Sequence, residues 1–144
     1  RPCILGGVHI ESDLGPDGHS DADVLIHALM DAMLGAAGLR DIGYYFPPED
    51  DQYKGISSML LLEKVNFLLK ERGLQAYNID IMVISETPKL KPHIDMMKSN
   101  LQSILEIPLD RISIKATTNE MLGAIGRREG IAAQAVVSVY EGEI

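Results

Sequence analysis

Between Ser20 and Gly38 the apolar positions Val24, Leu25, Ala28, Leu29, Ala32, Met33 and Ala36 recur every three or four residues, the spacing of one helix face. The same period returns in Leu61, Leu62, Val65, Leu68 and Leu69, where Ser57 or Ser58 can cap the start and Gly73 the end. A third helix is predicted from about Pro92 to Leu105, because proline is tolerated in a first turn and Ile94, Met97, Leu101 and Leu105 share a face. Elsewhere the period shortens. Cys3 to Ile10 is mostly apolar but broken by Gly6 and Gly7, as a bent strand or a tight hairpin would be. Asn78–Ser85, Ile112–Ala116 and Ala133–Tyr140 read as strands, the last rich in valine alternating with small polar residues. About four strands and three helices in this order predict an α+β fold: a two-layer sandwich with one mixed sheet covered by helices on one face.

Composition narrows what such a fold can do. The 144 residues show no repeat, no low-complexity stretch and no linker, so a single domain spanning residues 1–144 is expected. With 46% hydrophobic and 24% charged residues the chain can build a core and is not a disordered tail. A net charge of −8 has the wrong sign for holding nucleic acid through phosphates. No apolar run approaches the roughly 18 residues that span a bilayer, so no membrane partner is expected. The single cysteine, Cys3, allows no internal disulfide. The chain opens on Arg1 without a signal-peptide pattern, and further residues are expected ahead of it. An acidic protein that takes an anionic substrate must offer local cations, helix N-termini or metal ions, which gives the search its criterion.

Five stretches meet or approach it. In HSDADVLIH, Asp23, His27 and Asp31 fall at i, i+4 and i+8 on one helix face. A histidine flanked by carboxylates suits a metal ligand whose neighbours fix its tautomer, and equally a solvated face with Ser20 and Asp23 as a capping pair. In KATTNE, Lys115 to Glu120, two hydroxyls, new backbone N–H groups and a lysine can hold phosphate while Glu120 ligates a hard cation; Thr117 with Glu120 also fits a capping box. GAIGRREG offers three glycines with Arg127 and Arg128, an anion-binding turn or a plain surface loop. SETPKLKPH ends a strand in a proline-containing turn with two lysines, and DIGYYFPPED carries acids able to meet substrate hydroxyls within an aromatic loop. Serine-hydrolase, dithiol and zincin signatures are absent. The residues point to metal plus phosphate.

Taken together, HSDADVLIHALMDAMLGAAGLRDIG from His19, FPPEDDQYKG from Phe46, PKLKPHI from Pro88 and KATTNEMLGAIGRREGIAAQA from Lys115 resemble the 2-C-methyl-D-erythritol 2,4-cyclodiphosphate synthase family over most of the chain. The resemblance implies a compact α+β subunit, a homotrimer with active sites between subunits, and a lyase of the non-mevalonate isoprenoid pathway. In that reaction the 2-phosphate of 4-diphosphocytidyl-2-C-methyl-D-erythritol 2-phosphate attacks its own β-phosphate and expels CMP.

Carried over by position, His27 matches a helix-borne zinc ligand, with Asp23 and Asp31 supporting it and the remaining ligands, an Asp-x-His pair, expected before Arg1. His9 is no substitute, because it lies downstream and lacks the partnering aspartate. His19 and Ser20 match the phosphate-contacting pair, His19 as a catalytic group. Thr118 matches the other catalytic group, Asn119 stands beside it, and Glu120 matches the ligand of Mg²⁺ or Mn²⁺. Asp41, Ile42 and Gly43, with Phe46, Pro47, Pro48, Glu49 and Asp50, match the part that binds methylerythritol hydroxyls. Ser85, Glu86, Thr87, Pro88, Lys89, Leu90 and Lys91, with Thr117, resemble the cytidine pocket. Ala124 stands where the family often has an aromatic residue, in a loop leading to Arg127 and facing a central cavity that can hold an isoprenoid diphosphate. The resemblance places such a protein in a bacterial cytoplasm or a plastid. The alternative activity is a catalytically silent trimer binding nucleotide or isoprenoid diphosphate through Arg127 and Lys89.

Overall fold

The structure, a computed structural model, describes residues 3–11 and 23–142; His19 and Ser20 lie outside the described residues. The chain opens with a hairpin of β1 (Cys3–Leu5) and β2 (Val8–Ile10), paired Cys3 to Ile10. Both turn residues, Gly6 and Gly7, have positive φ of 57° and 74°, the backbone of a type I′ hairpin turn that glycine adopts without a side-chain clash. Two longer helices follow, α1 (Val24–Ala36) and α3 (Ser58–Glu71), with the one-turn helix α2 (Ile42–Tyr45) between them. The order is completed by β3 (Leu74–Ile84), α4 (Ile94–Leu105), β4 (Ile112–Thr117), the short α5 (Gly123–Gly126) and β5 (Ala132–Glu141).

The three long strands form one mixed sheet in the order β4, β3, β5, with β3 parallel to β4 and antiparallel to β5. The hairpin is a separate two-stranded sheet, so the opening apolar stretch pairs with itself instead of adding a fourth strand. β3 also starts at Leu74, four residues before the alternating pattern that marks it in the sequence. A bulge between Ala76 and Asn78 is the cause: Gln75 and Ala76 are both buried and Tyr77 and Asn78 both exposed, which breaks the period of two.

From Ile79 onward alternation is strict, and Ile79, Ile81 and Val83 face the helices together with Ile112 and Ile114 of β4. Onto this face pack Leu25, Ile26, Leu29, Met30, Met33 and Leu34 of α1, Leu61, Leu62, Val65 and Leu69 of α3, and Met97, Leu101 and Leu105 of α4. Each such side chain contributes about 1.5–3 kcal/mol by leaving water. The opposite face carries Lys115 of β4, Asp80 and Met82 of β3, and Val136 of β5, which is 72% exposed. Helices on one side of a mixed sheet are the α+β arrangement the sequence predicts. No helix among the described residues is long and apolar enough to cross a membrane.

Candidate active site

The polar line on α1 is built into the core at one end. Asp23 is fully buried and caps α1, its Oδ1 accepting from Ile26 N at 3.1 Å and Gly6 N at 3.0 Å while Oδ2 accepts from Gly7 N at 2.8 Å. One carboxylate therefore ties the hairpin turn to the helix start. One turn on, His27 Nε2 shares a hydrogen bond of 3.1 Å with the hydroxyl of Ser58, the first residue of α3. Ser57 is the residue that caps α3, accepting from Met59 N at 3.2 Å, which leaves the buried Ser58 turned toward His27. A further turn along, Asp31 Oδ1 accepts from Ile42 N at 2.9 Å at the start of α2, where Asp41 Oδ1 also accepts from Tyr44 N at 3.0 Å. Asp23 and Asp31 thus each fasten α1 to another segment.

His27 opens onto a cavity of about 210 Å³, lined also by Ile42, Gly43, Phe46, Pro48, Tyr53 and Leu61. Its wall is stiffened by the edge-to-face contact of Phe46 with Tyr53, centroids 5.3 Å apart. Pro47, Glu49 and Asp50 belong to the same loop but stand outside that lining; Asp50 accepts from the backbone and side chain of Gln52. Ser58, Tyr53 and Leu61 are not among the sequence-predicted site residues: Ser58 reads there only as a candidate helix cap and Leu61 as an apolar helix position, while Tyr53 stands in FPPEDDQYKG, beyond the aromatic stretch that ends at Asp50.

A second cavity lies at the carboxyl ends of the parallel strands. Ile84 is paired with Thr117, and Ser85 N donates to Thr117 O at 2.9 Å, so the two chain segments leave the sheet side by side. Ser85, Pro88, Lys89, Leu90 and Lys91 from one segment and Ala116, Thr117 and Thr118 from the other line about 180 Å³. The Ser85 hydroxyl donates to Thr87 O at 2.8 Å, and the Thr87–Pro88 peptide is cis. Lys89 and Lys91 are exposed at this cavity, the local cations an acidic chain needs for an anionic ligand. Glu86, which is not among the lining residues, meets the turn after β4.

That turn is not the start of a capped helix. Thr118 Oγ1 accepts from Glu120 N at 3.2 Å, Glu86 Oε2 from Asn119 N at 2.6 Å and Glu86 Oε1 from Met121 N at 3.2 Å. Glu120 and Met121 have φ of 52° and 63°, a left-handed backbone that the first turn of a helix capped at Thr117 would not adopt. The capping-box reading of Thr117 with Glu120 is thereby replaced: the first helical residue is Gly123, and α5 has no side-chain cap. Gly126 is required by contact, since a Cβ there would overlap the Met121 backbone. Ala124 and Arg127 follow on the surface, Arg127 Nε donating to Glu129 Oε2 at 2.7 Å, which raises the guanidinium pKa further.

Among the described residues no group of three His, Cys, Asp or Glu side chains is placed to hold a metal ion. Zinc takes three or four protein ligands, so one imidazole, His27, does not complete a zinc site from the described residues. Glu120, a lone exposed carboxylate, suits a magnesium-type ion, which takes one or two carboxylates and completes its shell with water and phosphate.

Known proteins place this architecture. The YgbB family matches residues 1–140. A curated 2-C-methyl-D-erythritol 2,4-cyclodiphosphate synthase from Synechococcus elongatus is 59% identical over 136 residues, 94% of this chain and 85% of that protein. Among solved structures, the bifunctional IspDF of Campylobacter jejuni superposes with a TM-score of 0.94 at 45% identity, covering 99% of this chain; the chain spans 39% of that longer protein. A 2C-methyl-D-erythritol-2,4-cyclodiphosphate synthase in its CDP-bound form gives a TM-score of 0.89 at 36% identity, over 97% of this chain and 91% of that one. Sequence and fold agree along almost the whole chain, which therefore belongs to the YgbB family, that of the 2-C-methyl-D-erythritol 2,4-cyclodiphosphate synthases.

Proposed function

We propose that the protein converts 4-diphosphocytidyl-2-C-methyl-D-erythritol 2-phosphate to 2-C-methyl-D-erythritol 2,4-cyclodiphosphate and CMP, as a cyclising lyase of the non-mevalonate isoprenoid pathway. An oxygen of the substrate's 2-phosphate forms a bond to the β-phosphorus, and the bond from that phosphorus to the oxygen retained by CMP breaks. No side-chain nucleophile takes part. The protein's task is to hold two arms of one molecule in line and to offset charge on the diphosphate, which suits a site of loops, hydroxyls and lysines.

The observation that carries this reading is the strand-end cavity, where Ser85–Lys91 and Thr117–Thr118 meet because Ile84 pairs with Thr117. Backbone groups there suit a cytosine, and Lys89 and Lys91 its phosphates. The His27 cavity, with Asp41, Ile42, Gly43 and the loop from Phe46 to Asp50, suits the methylerythritol hydroxyls. The two cavities share no lining residue, and each is smaller than the roughly 300 Å³ of an ordinary ligand pocket. Two half-sites of this kind support an active site closed between copies, a homotrimer. Thr118, His19 and Ser20 then contact phosphate, with Thr118 and His19 offsetting the charge that develops.

Glu120 would hold Mg²⁺ or Mn²⁺ beside the diphosphate, and His27 would be one zinc ligand, the others contributed from outside the described residues. When bound, these ions supply charge neutralisation on phosphate oxygens. Asp23 and Asp31, by fastening α1, hold His27 in place. Ala124 and Arg127 would border the central cavity of the trimer, where Arg127 could take an isoprenoid diphosphate. The reading treats residues 1–144 as one domain working in a bacterial cytoplasm or a plastid, without nucleic-acid or membrane partners.

The test is CMP release from the cytidylyl substrate with zinc and magnesium present, using the full encoded protein, with Glu120→Gln as control and sedimentation to give the assembly. Release with a cyclic diphosphate co-product, lost in Glu120→Gln while the trimer persists, is expected. Nucleotide binding without release would replace the synthase by a silent binding protein.

A further inference from the structure

The turn after β4 presents three consecutive backbone N–H groups, those of Asn119, Glu120 and Met121, and each is taken by a side-chain oxygen. Runs of amides in left-handed or alternating backbone form anion-binding concavities. Here the anion is the protein's own: both oxygens of Glu86 receive the outer two amides, at 2.6 Å from Asn119 and 3.2 Å from Met121, and the Thr118 hydroxyl receives the middle one. Two further contacts brace the same turn, Asn119 Nδ2 donating to Leu122 O at 2.8 Å and the bare Cα of Gly126 lying against the Met121 backbone.

Glu86 comes from the other chain segment. Its neighbours Ser85, Pro88 and Lys89 line the strand-end cavity, whereas its own side chain leaves that cavity and reaches across to residues 33 and 35 positions away in sequence. One carboxylate therefore connects the stretch assigned to the nucleotide arm with the turn that carries Thr118 and Glu120. We propose that Glu86 is a positioning residue for the cyclisation, its carboxylate holding the Thr118–Glu120 turn in its left-handed form against the nucleotide-binding segment. This rests on the synthase reading and deepens it. An ordinary surface glutamate would leave the turn to water; Glu86 sets the direction of two side chains it does not touch through their backbone.

Glu86→Gln is the sharpest test, because it keeps the shape and replaces one acceptor by an N–H donor facing an amide. In the full protein, three quantities decide: kcat and KM for CMP release, amide hydrogen exchange at Asn119 and Met121, and thermal unfolding. Expected are a kcat lower by about ten- to a hundredfold with KM within about twofold, faster exchange confined to the turn, and Tm shifted by less than about 2 °C. A higher KM at unchanged kcat would overturn the proposal by placing Glu86 on the nucleotide itself. Unchanged kcat and exchange, or a general fall in protection with a large Tm loss, would overturn it too. If the wild-type protein releases no CMP, the synthase reading fails, and unchanged turn exchange in Glu86→Gln would separately remove Glu86 as the holder of the turn.

Discussion

The His27 and Thr118 cavities are held by opposite means. Around His27 the supports are buried: Asp23 and Ser58 are fully enclosed, and the hairpin, α1 and α3 meet through them inside the core. On the other side the turn that carries Thr118 is exposed from Lys115 to Ala124, and it keeps its form through hydrogen bonds to Glu86 and Thr118 and through contact with Gly126. The first half-site is a by-product of folding; the second is an added arrangement at the end of a sheet. Changes near His27 should therefore cost stability, and changes near Thr118 should cost turnover, because an exposed turn can rearrange without disturbing the core.

The largest effect is expected from Asp23→Ala. It leaves three backbone donors in and near the core without their acceptor and should lower the unfolding free energy by about 3–5 kcal/mol. Urea unfolding would show it, and a loss below about 1 kcal/mol would put the two half-sites on an equal footing. Gly126→Ala is the counterpart on the other side. A Cβ cannot fit against the Met121 backbone, so the turn must shift; turnover should fall about a hundredfold, with a smaller loss of stability in urea than that of Asp23→Ala. A loss of stability as large as that of Asp23→Ala would make the turn part of the core.

Titration gives a finer probe of the buried side. Burial, then the nearby Asp23 charge, pushes the Cys3 thiol up to about 11 from 9.0. Because the folded state keeps its proton to higher pH than the unfolded chain, this contribution to stability is complete below pH 9 and is lost as pH rises through 11. The change is about 2–3 kcal/mol, and Cys3→Ala should lose less stability than wild type between pH 8 and 11 in urea unfolding. The smallest effect belongs to Lys115→Met on the outer sheet face. Its 2.8 Å pair with Asp80 is half exposed, so removal should change stability by less than about 0.5 kcal/mol. Asp80 Oδ1 has no aligned hydrogen bond, which agrees with a pair held by charge alone. A much larger loss would indicate that another copy covers this face.

Much of this was legible beforehand, and particular residues show why some was not. α3 and α4 stand where their apolar periods put them, because one helix face buries one set of side chains whatever lies opposite. Ser57 and Ser58 looked interchangeable as caps; only docking of α3 on α1 turned Ser58 toward His27. The β3 bulge hid four residues of strand, since a bulge erases the alternation that reveals one. KATTNE reads as a helix start because the capping box is a local pattern, and the element that overrules it, Glu86, lies 33 residues from Asn119.

The sequence by itself determined the three long helices, the regular parts of the strands and the chemical character of each loop, because periodicity, caps and turn residues act over a few neighbours. The family resemblance, too, rests on local runs of residues. What only the tertiary structure decided is pairing over distance: Ile84 beside Thr117, Asp23 under Gly6 and Gly7, Ser58 on His27, and Glu86 across the Thr118 turn. Each depends on how sheet and helices bury their apolar faces together, and burial is settled by the whole fold at once.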